Sequence, residues 1–472
     1  MDCKILAILG ALTITVGCRV ELYPSPFDSA DAQVEFPSVA AFTQFDVANV
    51  KHGAASASIV PPWPVALSGY GGVHRRLLPP DPARIGRGGA WQATHTSVDV
   101  APRIKVFLWQ EAAQAAVGNL FILVSVDVVA VSPDFTQALL VRARNVLNRP
   151  DLSWHNIAVV ASHTHSGPAG ISSDALFQAF AGDSLFPKYR DFVLDSFAQS
   201  LASARDSAES VVAMSVSEKE IEAVSLDRLP ELSRDKRNAL FTTSTSEDVG
   251  TATVASCLNI FAVHSTFHSQ KDRTLSADLA GGIERALETA GKGELCAFLP
   301  GAVGNASPNV GPSEGIISFG ERFAAVASEN PVTESVTSKM EFGGMPVSIP
   351  AAQLNFSGCD AAWVSPFVSL PVLSERARAT WISWMRFGSV GILMLPGEPL
   401  SDVQAEAATI LRAAIPELRA VYVVGLANDY QGYFMLESAF KNKSLESCSA
   451  LYKPAVVREM LHAFSAGIAA AR

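Results

Sequence analysis

Along this chain, short runs of β-branched and apolar residues alternate with stretches whose apolar positions recur every three to four residues. Phe121 to Val126 precedes a helical pattern over Asp134 to Leu147, Ile157 to Ala161 precedes Tyr189 to Ala208, and Cys257 to Val263 precedes Ala277 to Ala290. Leu295 to Leu299 follows, then Val390 to Leu395 with Asp402 to Ala414, and Val421 to Gly425 with a late helix over Ala455 to Ala471. Continuous apolar strands set between helices predict an α/β fold with a central mixed sheet, largely buried and flanked by helices. Val332 to Ser369 is less regular and predicts an excursion of mixed strands.

The polar residues that follow the apolar runs give the pattern its chemistry. Ile157 to Ala161 empties into Ser162-His163-Thr164-His165-Ser166-Gly167-Pro168, and Cys257 to Val263 into His264. Leu295 to Leu299 leads to Gly304-Asn305-Ala306-Ser307-Pro308-Asn309, Val390 to Leu395 to Pro396-Gly397-Glu398, and Val421 to Gly425 to Asn428-Asp429-Tyr430-Gln431-Gly432-Tyr433. In open α/β sheets ligands lie beyond the carboxyl ends of the strands, where these loops gather. His163 and His165, two apart in extended chain, point to the same side. A zinc ion takes three or four nitrogen, oxygen or sulfur donors from separate segments, and a catalytic one keeps a position open for water. Histidines, a glutamate and a tyrosine at four strand ends fit such a site, placed at the carboxyl ends of the strands. Structural alternatives stand beside two of them: Glu398 could cap the helix that begins near Ser401, and Tyr433 could be an ordinary loop aromatic.

Composition removes some function classes. With 472 residues, 49% of them hydrophobic, the chain can fill the core of one large α/β domain or two smaller ones. Lys and Arg total 36 against 46 Asp and Glu, and no basic stripe carries interleaved aromatics, so nucleic acid is not an expected partner. Lys4, the apolar Ile5 to Val16 and the lipobox-like Thr15-Val16-Gly17-Cys18 predict an export signal over 1–18. That apolar run is too short for a transmembrane helix, which needs about 20 residues. The expectation is a bacterial cell-envelope protein anchored to a membrane through lipidated Cys18, with plain secretion as the alternative. The Pro- and Asp-rich chain from Glu21 to Ser38 predicts a tether within 19–50, followed by a catalytic domain over 51–472. No protein partner is predicted. Of the remaining cysteines, Cys257 and Cys296 lie in apolar runs and read as small core residues, and no disulfide pairing can be deduced. Arg75 to Gly89 predicts a long surface loop flanking the site.

Two motifs compete with the metal reading. Gly311-Pro312-Ser313-Glu314-Gly315 matches G-x-S-x-G, yet Pro308 and Pro312 make a poor strand before it, as a nucleophile elbow requires. His264 and His268 are four apart but lack the glutamate of a metalloprotease helix, which leaves His268 a structural or outer role.

The segments together resemble the neutral ceramidase family, whose catalytic domain carries His-Thr-His-Ser-Gly-Pro after a buried strand, as His163 to Pro168 do here. Phe261-Ala262-Val263-His264, Gly304 to Asn309, Pro396-Gly397-Glu398, Gly425-Leu426-Ala427-Asn428 with Tyr430 and Tyr433, and Leu451-Tyr452-Lys453-Pro454 follow in the family's order. The resemblance runs from about Ala54 to the C-terminus. It implies zinc held by His163, His264, Glu398 and Tyr433, with His165 as a proton carrier and Arg228 as a substrate contact. It makes Ser307 the counterpart of the family's essential serine, either nucleophile or contact to a substrate hydroxyl. The implied reaction is hydrolysis of the amide of ceramide or a related N-acyl lipid to a fatty acid and an amine.

The chain also departs from the family. Asn305 replaces an aspartate beside the serine, and Leu445 stands where a second active-site tyrosine is expected. With the resemblance running to Arg472, the expectation is a catalytic domain without the β-sandwich that follows it in full-length ceramidases. These departures keep two alternatives open: a divergent amidohydrolase acting on another amide, and a non-catalytic zinc-containing binding lipoprotein.

Overall fold

The computed structural model describes residues 41–471 apart from 72–73, 113–118, 174–177, 179–181, 247–251, 337–338, 350–352, 356–368 and 372–378. The expected signal segment 1–18 and most of the expected tether 19–50 lie outside the described residues. Folded chain nevertheless begins before residue 50. Ala41–Asp46 is a strand paired antiparallel with Lys339–Ser348, and Phe45 buries its ring against Phe342.

Among the described residues, two large mixed sheets, with four two-stranded ones beside them, stand in place of the single central sheet expected. The nine-stranded sheet runs Leu295–Pro300, Thr253–Phe261, Arg237–Ser246, Glu209–Glu220, Val50–Ser58, Arg103–Glu111, Leu120–Val126, Ile157–Ala161, with Val332–Ser335 beside Glu209–Glu220. The five-stranded sheet runs Ala41–Asp46, Lys339–Ser348, Ala379–Phe387, Val390–Met394, Ala420–Val424. One core cluster lies between them, with Trp109 and Phe121 of the first against Phe342 and Phe387 of the second.

Helices cover the outer faces. Pro133–Leu147 and Pro187–Asp206 pack on the nine-stranded sheet, as do Asp278–Thr289 and Ile316–Ser328, while Ser401–Ala414 and Pro454–Ala470 pack on the five-stranded one. This burial on both faces explains the continuous apolar runs. In Ile157–Ala161, Ile157, Val159 and Ala161 face the helices while Ala158 and Val160 face the other sheet.

Parallel pairing then assembles the site. Leu120–Val126 runs parallel to Ile157–Ala161, Thr253–Phe261 to Leu295–Pro300, and Val390–Met394 to Ala420–Val424. Parallel neighbours deliver their strand ends to the same edge. The two sheets are stitched there by the loop after Val424. Ala161 N donates to Leu426 O at 3.1 Å, Asn428 N to Val159 O at 2.7 Å, and Val159 N to Asn428 Oδ1 at 2.9 Å. Leu426 and Asn428 take left-handed φ values of 58° and 66° to make this turn.

Cys257 and Cys296 are buried as expected, but they are also joined. The parallel register places them opposite each other, and they form a disulfide closing 39 residues. A loop of that length corresponds to about 4 kcal/mol in the chain-entropy account. Among the described residues, no helix is long and apolar enough to cross a membrane.

Candidate active site

His163 leaves its strand with φ 62°, a conformation uncommon for a residue with a side chain. Its backbone N–H donates to Val128 O at 3.1 Å, and its Nδ1 donates to Val129 O at 2.8 Å. His264 repeats the device, its Nδ1 donating to Ala306 O at 2.9 Å. In a neutral imidazole so held, Nε2 is a bare acceptor. Both Nε2 atoms face Glu398 Oε2, at 3.3 Å from His163 and 3.2 Å from His264. The His163 and His264 rings are buried, and burial, followed by the nearby Arg228 charge, lowers the His264 imidazole to about 4.

Glu398 is also buried. Burial pushes its carboxyl up, but the two imidazoles outweigh that and hold it well below the usual carboxylate range. Its other oxygen, Oε1, accepts from Tyr430 Oη at 2.7 Å. Tyr433 is the register partner of Glu398 in a short parallel pair, and burial, then the Glu398 charge, raises its phenol well above the ordinary value. Glu398 does not cap the helix Ser401–Ala414; Ser401 N donates instead to Asn305 Oδ1 at 3.0 Å.

Two imidazole acceptors facing one carboxylate oxygen repel unless a proton or cation sits between them, and of these atoms the nearby Arg228 Nη1 reaches only His264 Nε2. Zinc–donor bonds near 2.1 Å at tetrahedral angles set donor–donor edges of about 3.4 Å. The edges from Glu398 to His163 and His264 match that, so the donor set fits a divalent cation. His165 belongs to the same cluster: its Nε2 is 3.3 Å from His163 Nε2, and the nitrogens of His163, His165 and His264 all lie within 4.8 Å of one another. Burial, then the neighbouring His163 and His264, holds the His165 imidazole well below its ordinary value, and among the described residues its buried Nδ1 has no hydrogen-bond partner. A metal facing His163 and His264 is therefore within reach of His165 as well.

Arg228 and Ser307 lie beside this cluster. Ser225–Asp227 pairs antiparallel with Ala306–Pro308, and Arg228 N donates to Asn305 O at 2.9 Å. The guanidinium Nε donates to Ser307 Oγ at 3.2 Å, and Nη1 lies 3.3 Å from His264 Nε2. Among the described residues, no imidazole or carboxylate is hydrogen-bonded to the Ser307 hydroxyl. Asn305 does not face Ser307 through its side chain. Its Nδ2 donates to Leu232 O at 2.9 Å while its Oδ1 takes the Ser401 N–H, a paired donor and acceptor role that a carboxylate could not fill.

The chain order alone missed Glu446, Arg75 and Tyr70. Leu445, the position singled out from sequence, is 72% exposed, whereas the next residue, Glu446, is buried and meets Arg228 at 3.4 Å. Arg75 is not part of a surface loop: its buried guanidinium donates to the carbonyls of His165, Ser269 and Asp272 and stacks over Tyr70. Tyr70 meets the His165 ring edge-on at 4.9 Å. Gly69, with φ 104°, allows this approach, since a Cβ there would lie 2.5 Å from His165 Cα. A small-Gly-Tyr turn followed by paired arginines was the available signal. His268 binds Asp99 at 2.7 Å, a structural ion pair, and Gly311 to Gly315 is a loop whose Glu314 pairs with Arg322.

Comparisons with known proteins bear on the family. Residues 101–318 match the family model described as neutral/alkaline non-lysosomal ceramidase, N-terminal. A solved structure of neutral ceramidase from Pseudomonas aeruginosa is similar at 18% identity and TM-score 0.68, over 89% of this chain and 75% of that one. A structure of a ceramidase complexed with C2 is similar at 17% identity and TM-score 0.69, with the same coverage. Likeness at those identities establishes a shared fold. No curated protein matches the sequence.

Proposed function

Because residues 101–318 match the neutral/alkaline non-lysosomal ceramidase family model, we propose that the protein hydrolyses the amide of ceramide or a related N-acyl lipid to a fatty acid and an amine. The observation that carries this reading is the convergence of His163 Nε2, His264 Nε2 and Glu398 Oε2 beside the Arg228–Ser307 pair.

In this reading His163, His264 and Glu398 hold zinc, with Tyr433 as the fourth protein group. Bound there, zinc lowers the pKa of a water toward about 7 and polarises an amide carbonyl. Tyr430 keeps Glu398 turned so that Oε2 rather than Oε1 faces the histidines. Arg228 donates to the negative charge that develops on the carbonyl oxygen, and Ser307 is placed by Arg228 Nε to meet the substrate. An amine leaves only with a proton, and His165, a neutral imidazole, is the group proposed to take that proton from the attacking water and pass it on. Arg75 and Tyr70 fix the backbone and ring of His165 for that transfer.

Export and anchoring through Cys18 form part of the proposal. The Cys257–Cys296 disulfide supports an oxidising compartment. Equal membrane association and unchanged mass in Cys18→Ser would sink the anchor. For the reaction, zinc content and release of labelled fatty acid from a short-chain ceramide are measured on the same preparation. About one zinc per chain with turnover is expected; one zinc without turnover on any N-acyl lipid overturns the enzymatic reading and leaves a binding lipoprotein.

A further inference from the structure

The site as proposed contains an electrostatic problem. Arg228 carries a permanent positive charge, and its Nη1 lies 3.3 Å from His264 Nε2, an atom assigned to face a divalent cation. Two cations that close in a buried cleft repel strongly unless a counter-charge stands beside them.

Glu446 supplies that counter-charge. Its Oε1 lies 3.4 Å from Arg228 Nη1, and its side chain is 3% exposed against 25% for Arg228. The turn that carries it is fixed on several sides. Ser444 caps the short helix Leu445–Cys448 by accepting from Ser447 N at 3.3 Å, Cys448 is disulfide-bonded, and Ala450 bridges to Gly432 one residue before Tyr433. In that turn Leu445 faces solvent and Glu446 faces the site. Charge then balances usefully: two positive charges from the metal and one from Arg228 stand against one each from Glu398 and Glu446. A single net positive charge remains to meet a single developing negative one.

We propose that Glu446 is a positioning residue for the reaction: it holds the Arg228 guanidinium against Ser307 and beside the metal-facing edge of His264, where the oxyanion forms. This inference rests on the amide-hydrolase reading. Glu446 does not touch substrate. It acts through Arg228, which without it is pushed from the metal toward solvent.

The test is a double-mutant cycle on the full chain with Glu446→Gln, Arg228→Ala and the pair, following zinc per chain, melting temperature, kcat and KM. Glu446→Gln is expected to retain zinc and fold, to lose roughly 10–100-fold in kcat at nearly constant KM, and to be partly rescued in Glu446→Asp. The double variant is expected to be no worse than Arg228→Ala alone. Full kcat in Glu446→Gln, or losses that multiply in the double variant, overturn the proposal. If the wild-type protein hydrolyses no N-acyl lipid, the parent reading fails and the positioning is judged from crystal structures of wild type and Glu446→Gln. Arg228 leaving Ser307 only in the variant supports it; Arg228 unmoved overturns it.

Discussion

His163 and His264 are each locked by a backbone carbonyl, Val129 O and Ala306 O, at the ends of strands in the nine-stranded sheet. Glu398 and Arg228 are held by side chains: the phenol of Tyr430 on one, and Glu446 on the other. The difference concerns what can change. A donor aimed by a backbone carbonyl keeps its tautomer as long as the strand ends where it does, whereas a group aimed by side chains can be re-tuned by single substitutions. Of the two positions singled out in the sequence, Asn305 adjoins the Ala306 carbonyl that holds His264, and Leu445 precedes the Glu446 that meets Arg228.

The largest expected effect breaks the locked half. His264→Ala removes one of the three converging acceptors, and zinc is expected to fall below about a tenth of the wild-type content with activity lost alongside it. Unchanged metal by elemental analysis would refute the assignment. Arg228→Ala tests the other half: kcat is expected to fall about 10²–10³-fold, as for removal of an oxyanion donor, while zinc stays bound. A fall in zinc of the same size would merge the two halves into one.

Acid separates them further. In the metal-free protein, folded His264 stays neutral down to about pH 4, whereas an unfolded histidine takes a proton near 6.5. Its folded pKa is depressed, so the unfolded state binds more protons in between. Stability is thus full above about 6.5 and declines as pH falls toward 4, by up to about 3 kcal/mol. A flat stability profile across that window in metal-free protein would contradict the burial of a neutral ring. The smallest effect is expected from Tyr430→Phe, which frees Glu398 Oε1 and should weaken metal affinity roughly 10–100-fold without changing the fold. No change in a competitive chelator titration would show that Tyr430 does not aim the carboxylate.

Much of this was written locally. Ile157–Ala161 begins and ends where its apolar run does, and the helix over Pro133–Leu147 differs from its apolar periodicity by one residue at the start. His163, His264, Glu398 and Ser307 follow strands whose ends the composition marks, so their gathering at one edge was legible. The antiparallel strands were not. Val50–Ser58 is built of small residues, and Arg103–Glu111 carries Lys105 in its centre. Lys105 is fully buried only because Asp127 and Glu284 meet its ammonium at 2.8 and 2.7 Å, partners 22 and 179 residues away.

The sequence by itself determined the buried strands, the helices and the polar loops that end the strands, because those depend on apolar spacing within some fifteen residues. Only the tertiary structure decided that the long strands divide between two large sheets rather than one, that Cys257 meets Cys296, that Arg75 is a buried support of His165, and that Glu446 rather than Leu445 enters the site. Each of those outcomes is a pairing between distant segments. A charge or a thiol is neither buried nor exposed by its neighbours in sequence, but by whether the fold brings it a partner.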